Sequence, residues 1–277
     1  MNFTKMHGCG NDYIYVDLAE NPVADPAALS RRLSDRHCGI GGDGVITIGP
    51  SEIADFRMRI YNADGSEAEM CGNGIRCVGK YVYDKGLTRK TELSVETGAG
   101  LRTLRLAVAE DKVVSVTVDM GAPVLTAEAI PVVAEDSPVV ALPVTVAGAT
   151  YALTCVSMGN PHGVVFTDDP GKVDLPVTGR ALETAPVFPH RANIEFVRVI
   201  SRNEIALRVW ERGSGETMAC GTGACAAVMA CILNGFTDDE VLVHLLGGDL
   251  SVRYDRETEH VFLTGGATEV FTGSVAS

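Results

Sequence analysis

The sequence lacks any apolar run long enough to cross a membrane. The longest such run, Ala224–Leu233, is about half of the roughly 20 residues that a transmembrane helix needs. The segment Met1–His7 also lacks a basic stretch followed by an apolar one, which is the pattern of a secretion signal. These absences predict a cytoplasmic protein with no membrane partner.

Basic residues are scarce as well. The 277 residues include 23 Lys and Arg against 36 Asp and Glu, a formal net charge of −13 at pH 7. A surface of this sign repels nucleic acid and anionic lipid at long range, so neither is expected as a partner. With 46% hydrophobic residues, the chain can build two cores of ordinary size. A small ligand that is recognised locally is the expected partner.

The eight cysteines include no Cys-x-x-Cys pair. Structural zinc sites take closely spaced Cys or His ligands, so no metal is expected. Disulfides are rare in reducing compartments and in chains large enough to bury a core. Most of these cysteines should therefore be free thiols.

The most informative feature is an internal repeat. Cys71-Gly72-Asn73-Gly74 returns as Cys220-Gly221-Thr222-Gly223, 149 residues later. The register predicts two structurally equivalent halves, and we expect each half to bring one cysteine to a cleft that they share. The same offset relates other identical residues: Gly10 and Asn11 to Gly159 and Asn160, Arg59 to Arg208, Glu67 to Glu216, and Gly86 to Gly235.

Local patterns place each cysteine at a helix N-terminus. Strands are predicted over Phe56–Tyr61 and Ile205–Trp210, because apolar residues dominate or alternate there. Beyond each Cys-Gly-x-Gly motif, helices are predicted at Ile75–Lys85 and Ala224–Asn234, ending at a glycine suited to a left-handed cap. Shorter helices are expected around residues 26–35 and 178–184. The small residues of the 224–234 helix predict burial inside a wrapping sheet.

The repeat also predicts the domain boundaries. Residues 1–118 would form an N-terminal lobe with the first cysteine, and residues 119–264 a C-terminal lobe with the second. Residues 265–277 remain after the second copy, and we expect this tail to pack back on the first lobe.

Two such thiols predict proton transfer. A helix N-terminus stabilises a thiolate and attracts a carboxylate, by up to roughly 2 kcal/mol, enough to bring a thiolate into play near neutral pH. An acid and a base on opposite faces of one carbon can invert its configuration, which predicts racemisation or epimerisation. The helix N-termini would hold the carboxylate of an amino acid and spread the developing charge. Nothing in this chemistry calls for a cofactor.

The alternative is that Cys71 and Cys220 are small buried residues at tight turns, as free cysteines often are. Their matching glycine-rich contexts favour the functional interpretation. The remaining cysteines have no such matched pair and are assigned to packing: Cys9, Cys38, Cys77, Cys155, Cys225 and Cys231.

Equivalent positions that differ indicate where the ligand is asymmetric. The positions that differ include asparagine amides, the charged pair Glu211 and Arg212, and the imidazole of His162. Such a set would suit a substrate with polar groups at both ends. Alternatively, the asparagines are turn formers, Arg212 is a surface charge, and Glu211 and His162 are structural groups. The differing pairs are Asn62 and Glu211, Ala63 and Arg212, Asn73 and Thr222, Tyr13 and His162, and Gly44 and Asn193.

Taken together, these motifs closely resemble the diaminopimelate epimerase family over essentially the whole chain. The resemblance implies an isomerase that interconverts LL- and meso-2,6-diaminopimelate without a cofactor, in lysine and peptidoglycan precursor synthesis. It further implies a cytoplasmic homodimer and an α+β fold of two pseudo-symmetric lobes, each a β-barrel-like mixed sheet around a central helix. The motifs are Gly8–Asp12, Tyr61–Ser66, Met70–Cys77, Met158–His162, Arg191–Asn193, Trp210–Gly213 and Ala219–Gly223.

The resemblance also implies roles for individual residues. Cys220 resembles the base that takes the α-proton of the LL isomer, and Cys71 the acid that protonates the other face. Many family members carry Gln where this chain has Gly44, which is therefore left out of the site. The implied binding residues are Gly72, Asn73, Gly221 and Thr222 for the reacting carboxylate, Asn11, Asn62, Asn160, Asn193 and Arg212 for other polar groups, and His162 and Glu211 for the reacting amino group and for tuning the thiols.

Two other functions remain possible at this stage. A proline or hydroxyproline racemase would use a similar thiol pair, but a compact imino acid has no second amino-acid end for Arg212 and the four asparagines to hold. A non-catalytic redox or metal-binding protein would bind metal stoichiometrically or work through a reversible Cys71–Cys220 disulfide.

Overall fold

The computed structural model describes residues 1–276, in two compact units. Unit 1 comprises Met1–Asp119 together with the segment that starts at Thr264, and unit 2 comprises Met120–Leu263. Among the described residues, no helix is both long and apolar enough to span a membrane.

Unit 1 is a mixed sheet with two helices. Strand β2 runs parallel to β3, and β4 runs parallel to β6, whereas the pairs β1–β2, β3–β4, β6–β7 and β1–β18 are antiparallel. Its elements are β1 (Asn2–Gly8), β2 (Asn11–Asp17), α1 (Pro26–Leu33), β3 (Gly44–Gly49), β4 (Phe56–Asn62), β5 (Glu67–Ala68), α2 (Gly72–Asp84), β6 (Glu92–Thr97), β7 (Gly100–Ala109), the start of β8 (Lys112–Gly121) and β18 (Thr268–Ser274).

Unit 2 repeats this order. Its parallel pairs are β11–β12 and β13–β15, and β10–β11, β12–β13 and β15–β16 are antiparallel. Its elements are β9 (Leu142–Val146), β10 (Ala149–Ser157), β11 (Pro161–Phe166), a 3-10 turn (Pro170–Lys172), α3 (Leu175–Glu183), β12 (Asn193–Ser201), β13 (Glu204–Glu211), β14 (Gly215–Glu216), α4 (Gly221–Leu233), β15 (Glu240–Leu245), β16 (Gly248–Asp255) and β17 (His260–Gly265).

The repeat therefore holds at the level of secondary structure. A shift of 149 residues carries α2 onto α4 at both ends and carries the first residue of α1 onto the first residue of α3. The parallel pairs of unit 1 likewise correspond to those of unit 2. The predicted fold class, α+β with two pseudo-symmetric halves, is confirmed.

The long helices begin three residues earlier than predicted. Glycine-rich segments usually form loops, but Cys71 and Cys220 cap their helices by accepting the backbone N–H of Gly74 and Gly223. This bond satisfies one of the open N–H groups of the first turn, so the helix can start at the residue after the cysteine. At the other end, Gly86 and Gly235 take the left-handed conformation, with φ of 78° and 72°.

The small side chains of α4 allow it to be buried all round. Residues 223–231 are all buried, and the helix packs against β10–β13 and β16. The more amphipathic α2 packs against β1, β2 and β7. A helix held in this way by several strands presents its N-terminal cysteine at a fixed place in its unit.

The start of β3 has no room for a side chain. A Cβ atom on Gly44 would lie 2.1 Å from the carbonyl oxygen of Tyr61 and 3.0 Å from Cε1 of Tyr13. Because the first contact is with backbone, a rotamer change cannot relieve it. Glycine is therefore required here by this backbone.

We expect Gly44→Ala to lower the free energy of unfolding by about 1–3 kcal/mol, the usual cost of overpacking. Urea denaturation would measure it. Gly266→Ala is the control, because a Cβ atom there meets nothing within 4 Å. Equal stabilities for the two variants would contradict the assigned packing at Gly44.

Candidate active site

In unit 1, the Cys71 sulfur has two hydrogen-bond partners. It accepts the backbone N–H of Gly74 at 3.3 Å, and its thiol donates to Oδ1 of Asn11 at 3.2 Å. The residue is partly exposed. The structure thus brings together two of the predicted site residues, Cys71 and Asn11, in one half-site.

Asp43 sets the orientation of the Asn11 amide. Nδ2 of Asn11 donates to Oδ2 of Asp43 at 2.8 Å, and the same oxygen accepts the backbone N–H of Asp12 at 3.1 Å. A carboxylate can only accept here, so the amide oxygen is left to face the Cys71 thiol. Sequence reasoning missed Asp43, although a lone carboxylate within Gly41-Gly42-Asp43-Gly44 was an available signal.

An ion-pair network supports this arrangement. The buried Lys5 contacts Asp12 at 2.6 Å and donates to the carbonyl oxygen of Gly41. Arg36 binds Asp12 at 2.7 Å and Asp43 at 3.0 Å. Burial raises the pKa of Asp12, but the hydrogen bonds from Arg36 and Lys5 outweigh this effect and hold the pKa below its usual value.

Two other unit 1 asparagines have local partners. Asn62, at the end of β4, donates to the hydroxyl of Ser66 at 3.0 Å. Asn73 is buried, and its Oδ1 accepts from the fully buried Arg76 at 2.9 Å. The Asn73 side chain is thus directed into unit 1. Any carboxylate at the start of α2 would meet the backbone N–H groups of Gly72 and Asn73.

In unit 2, Cys220 repeats the cap but is much less exposed. Its sulfur accepts the N–H of Gly223 at 3.3 Å and lies 3.4 Å from the hydroxyl of Thr222. Burial raises the pKa of Cys220 well above its ordinary value, and the charges of Glu211 and Glu195 raise it further. The expectation that a helix N-terminus would bring this thiolate near neutral pH is wrong for Cys220, because burial and two carboxylates outweigh the bond from Gly223.

Glu211 lies at the end of β13, close to this thiol. Its Oε1 accepts the hydroxyl of Thr217 at 2.5 Å. Burial raises the pKa of Glu211, although the hydrogen bond from Thr217 and the charge of His162 oppose the rise. The charge of Glu211 also raises the pKa of Cys220, so unit 2 brings these two side chains close together.

His162 is completely buried between two partners. Its Nδ1 lies 2.7 Å from Oε1 of Glu195, and its Nε2 lies 3.0 Å from Oδ1 of Asn160. Sequence reasoning missed Glu195. The available signal was one carboxylate in the otherwise apolar run Ile194–Val197 of β12.

Asn193 fixes the backbone next to Glu211. Its Nδ2 donates to the carbonyl oxygen of Pro161 at 3.1 Å, and its Oδ1 accepts the backbone N–H of Arg212 at 2.8 Å. The Arg212 side chain is exposed and donates to the carbonyl oxygen of His190 at 3.2 Å. Asn193 thus positions Arg212 through the backbone and leaves the guanidinium group exposed.

The other cysteines differ in environment. All eight are free. Burial raises the pKa of Cys77 to about 11 and that of Cys155 and Cys231 to about 12, in keeping with packing roles. The packing assignment is wrong for Cys38, which is exposed. Within residues 1–276, no three His, Cys, Asp or Glu side chains are placed to hold a metal ion.

Comparisons with known proteins agree on one family. The profile described as diaminopimelate epimerase matches residues 3–126 and 154–270. A diaminopimelate epimerase from Agathobacter rectalis is 62% identical over 282 residues, covering 99% of both chains. One from Acetivibrio thermocellus is 52% identical, covering 99% of this chain and 98% of its own.

Solved structures extend the likeness in fold alone. A phenazine biosynthesis protein of the PhzF family from Bacillus anthracis has a TM-score of 0.72 at 18% identity, covering 100% of this chain and 99% of its own. A probable proline racemase from Agrobacterium radiobacter has a TM-score of 0.70 at 14% identity, covering 99% of this chain and 92% of its own.

The network around Asp12 makes a prediction that depends on pH. Asp12→Asn leaves Lys5, whose side chain is 8% exposed, without its carboxylate, which should cost about 3 kcal/mol at pH 7. Because the folded pKa of Asp12 is lowered, its contribution is complete above the ordinary value of 3.8 and is lost as the pH falls through the folded value.

Chemical denaturation from pH 7 to pH 2 would check this, and the stabilities of the two proteins should begin to converge below pH 3.8. Asp111→Asn is the control, because that carboxylate pairs with Arg89 at the surface and should contribute little. A stability loss at Asp12 that is the same at every pH would argue against the ion pair.

Proposed function

The chain belongs to the diaminopimelate epimerase family, and we propose that Cys71 and Cys220 are the two groups that move the α-proton in its reaction. This reaction interconverts LL- and meso-2,6-diaminopimelate and, in this family, serves lysine and peptidoglycan precursor synthesis. The observation that carries the proposal is that the two cysteines cap equivalent helices in the same way. Each unit places one cysteine sulfur on the third backbone N–H of an equivalent helix.

Inversion at the α-carbon needs a base on one face and an acid on the other. For the LL isomer, the Cys220 thiolate takes the α-proton, and the Cys71 thiol delivers its own proton to the opposite face. The roles exchange in the reverse direction. Asn11, held by Asp43, accepts the Cys71 S–H and thereby favours the protonated thiol that the forward reaction requires.

The carbanion that forms is stabilised through its carboxylate. The backbone N–H groups of Gly72 and Asn73 begin α2, and those of Gly221 and Thr222 begin α4. These groups and the helix dipoles favour negative charge, most of all when the α-proton is leaving. The binding energy is thus greatest in the transition state.

The substrate ammonium group can create the base. In the free protein, burial is the largest cause of the raised pKa of Cys220, and the charge of Glu211 raises it further. When the reacting ammonium group pairs with Glu211, beside His162, the charge of Glu211 is neutralised, the pKa of Cys220 falls and the thiol releases its proton to solvent. The thiolate would therefore form mainly when substrate is present.

The second end of diaminopimelate also carries an ammonium and a carboxylate group. Arg212, positioned through its backbone by Asn193, supplies an exposed guanidinium for a carboxylate. The amides of Asn62 and Asn160 supply further polar contacts. Asn11 and Asn193 would join them on binding, by exchanging bonds that both ends of their amides make within their units in the free protein. A proline-type substrate has no such second end.

The proposal includes a cellular setting. We assign the enzyme to the cytoplasm, a reducing compartment in which its thiols stay reduced, and we expect it to work as a homodimer, as the family resemblance implies. In unit 1, β18 exposes Val270 and Phe271, apolar side chains suited to an interface between copies.

We expect the purified, fully reduced protein in D₂O to introduce deuterium at the α-carbon of LL-diaminopimelate without any added cofactor, because each turnover exchanges the substrate proton with a thiol. Proton NMR would follow the loss of the α-signal. L-Proline, treated identically, should keep its α-proton. Exchange of proline but not of diaminopimelate would favour the racemase alternative.

Replacing either thiol should stop interconversion. Cys71→Ala and Cys220→Ala should each reduce turnover by roughly 10²–10⁴-fold or more, because each removes an acid–base group. Residual exchange should be confined to the LL isomer in Cys71→Ala and to the meso isomer in Cys220→Ala. Cys231→Ala serves as the control and should remain active. Full activity without Cys71 or Cys220 would disprove the mechanism.

A further inference from the structure

The surroundings of the two caps differ although their backbones correspond. Around Cys220, unit 2 places five residues that we call the acid cluster, all of them buried except Glu211, which is partly exposed. The corresponding positions of unit 1, 149 residues earlier, contain no histidine and no carboxyl group. The acid cluster consists of Cys155, His162, Glu195, Glu211 and Cys220, and its unit 1 counterparts are Met6, Tyr13, Ile46, Asn62 and Cys71.

Glu195 occupies the place of an isoleucine. A Cβ atom on Gly223, in the first turn of α4, would lie 2.8 Å from Oε1 of Glu195. In unit 1, a Cβ atom on Gly74 would lie 2.7 Å from Cδ1 of Ile46. Each of these side chains therefore lies against the first turn of its helix, next to the capping cysteine. An apolar side chain fills this place in unit 1, and a carboxyl group fills it in unit 2.

A carboxyl group at this position destabilises the folded protein. Glu195 is fully buried; Oε1 contacts Nδ1 of His162, but Oε2 is buried with no hydrogen-bond partner. An incompletely paired buried carboxylate destabilises the folded state by comparison with an apolar residue of similar size. Packing alone would be served better by isoleucine, so the carboxylate needs another reason.

We propose that Glu195 is a positioning residue for the Cys220 half of the reaction. Glu195 holds the His162 ring through Nδ1 and makes the two thiols chemically unequal. This inference rests on the proposed function. Both ring nitrogens face acceptors: Nδ1–H donates to the Glu195 carboxylate, and this directs Nε2–H toward Oδ1 of Asn160, one of the proposed substrate-binding amides. Unit 1 has no equivalent device, since Tyr13 and Ile46 cannot form such a pair.

The electrostatic part follows from the groups that face Glu195. These are Cys155 from β10, His162 from β11, Glu211 from β13 and Cys220 at the start of α4. Burial is the largest cause of the raised pKa of Cys220, and the charges of Glu211 and Glu195 add to it. Burial raises the pKa of Glu195 itself, and the charge and hydrogen bond of His162 oppose that rise. Since substrate can neutralise Glu211, the Glu195 carboxylate held by His162 is the charge that stays during turnover. It keeps Cys220 the stronger base once the thiolate has formed.

The test is a titration of single thiols in Glu195→Gln. Glutamine keeps an acceptor for Nδ1 of His162 but removes the charge, so the Cys220 titration should move to lower pH. The Cβ chemical shift of ¹³C-labelled cysteine would report it, with Cys220 read in a Cys71→Ala background. Cys71, read in a Cys220→Ala background, should titrate as it does with Glu195 intact. A Cys220 titration unmoved by Glu195→Gln would overturn the proposal.

Glu204→Gln is the matched control. Glu204 also pairs with a histidine, His244, at 2.7 Å, but this pair is partly exposed and contains no cysteine. The substitution should leave both thiol titrations unchanged. A shift at Cys220 as large as that caused by Glu195→Gln would overturn the assignment, because the effect would then be general rather than local.

Glu195→Ile separates positioning from packing. It installs the unit 1 residue and removes both the charge and the acceptor. If Glu195 positions His162, the pH profile of kcat/KM should be altered and activity should fall further than in Glu195→Gln, although the protein melts at the same or a higher temperature. Full activity of a folded Glu195→Ile protein would overturn the proposal.

The unsubstituted protein gives a test that does not depend on folding of variants. In ¹⁵N NMR, the His162 ring should carry a proton on Nδ1, and an Nε2-only tautomer would overturn the proposal. A failure of this inference can be distinguished from a failure of the proposed function. Absence of deuterium exchange in the unsubstituted protein would end the epimerase mechanism, whereas normal exchange with an unmoved Cys220 titration in Glu195→Gln would end only this inference.

Discussion

The structure depends on one recurring hydrogen bond, from the backbone N–H of a glycine to the sulfur of the cysteine three residues before it. In α2 and in α4 this bond replaces the usual oxygen cap, so the helix starts directly after the cysteine and the sulfur is fixed at its N-terminus. A Cβ atom at Gly74 or Gly223 would lie within 3.0 Å of Cδ1 of Ile46 or Oε1 of Glu195, so that neighbouring side chain would have to shift. The same hydrogen bond therefore starts the helix and fixes the position of the reactive cysteine sulfur.

Around this common cap, the two units have different electrostatics. Cys71 is partly exposed and donates to an amide that is itself held by Asp43. Cys220 is buried next to two carboxyl groups, so burial and like charge both oppose its ionisation. A duplicated backbone with unequal surroundings suits a reaction in which one thiol must give a proton while the other takes one. The cost is a carboxyl oxygen of Glu195 left without a partner inside unit 2.

Much of the fold and of the candidate site could be predicted because periodicity and repetition are local in sequence. The strands around Met58 and Leu207, the glycine ends of both long helices, and the two capping cysteines all follow from patterns within a few residues. The predicted helix starts were late because sulfur capping is uncommon and glycine usually indicates a loop. Cys38 was misassigned because exposure depends on what covers a residue, which its neighbours in sequence do not reveal.

The sequence by itself determined the repeat, its register and the identity of the paired thiols, since a constant offset of 149 residues is a property of the chain alone. Tertiary structure decided the ionisation of those thiols. Asp43 reaches Asn11 across 32 positions, and Glu195 reaches His162 across 33. Burial and charge act through space over a few ångströms, so residues distant in sequence set the chemistry of a cysteine that the local motif only locates.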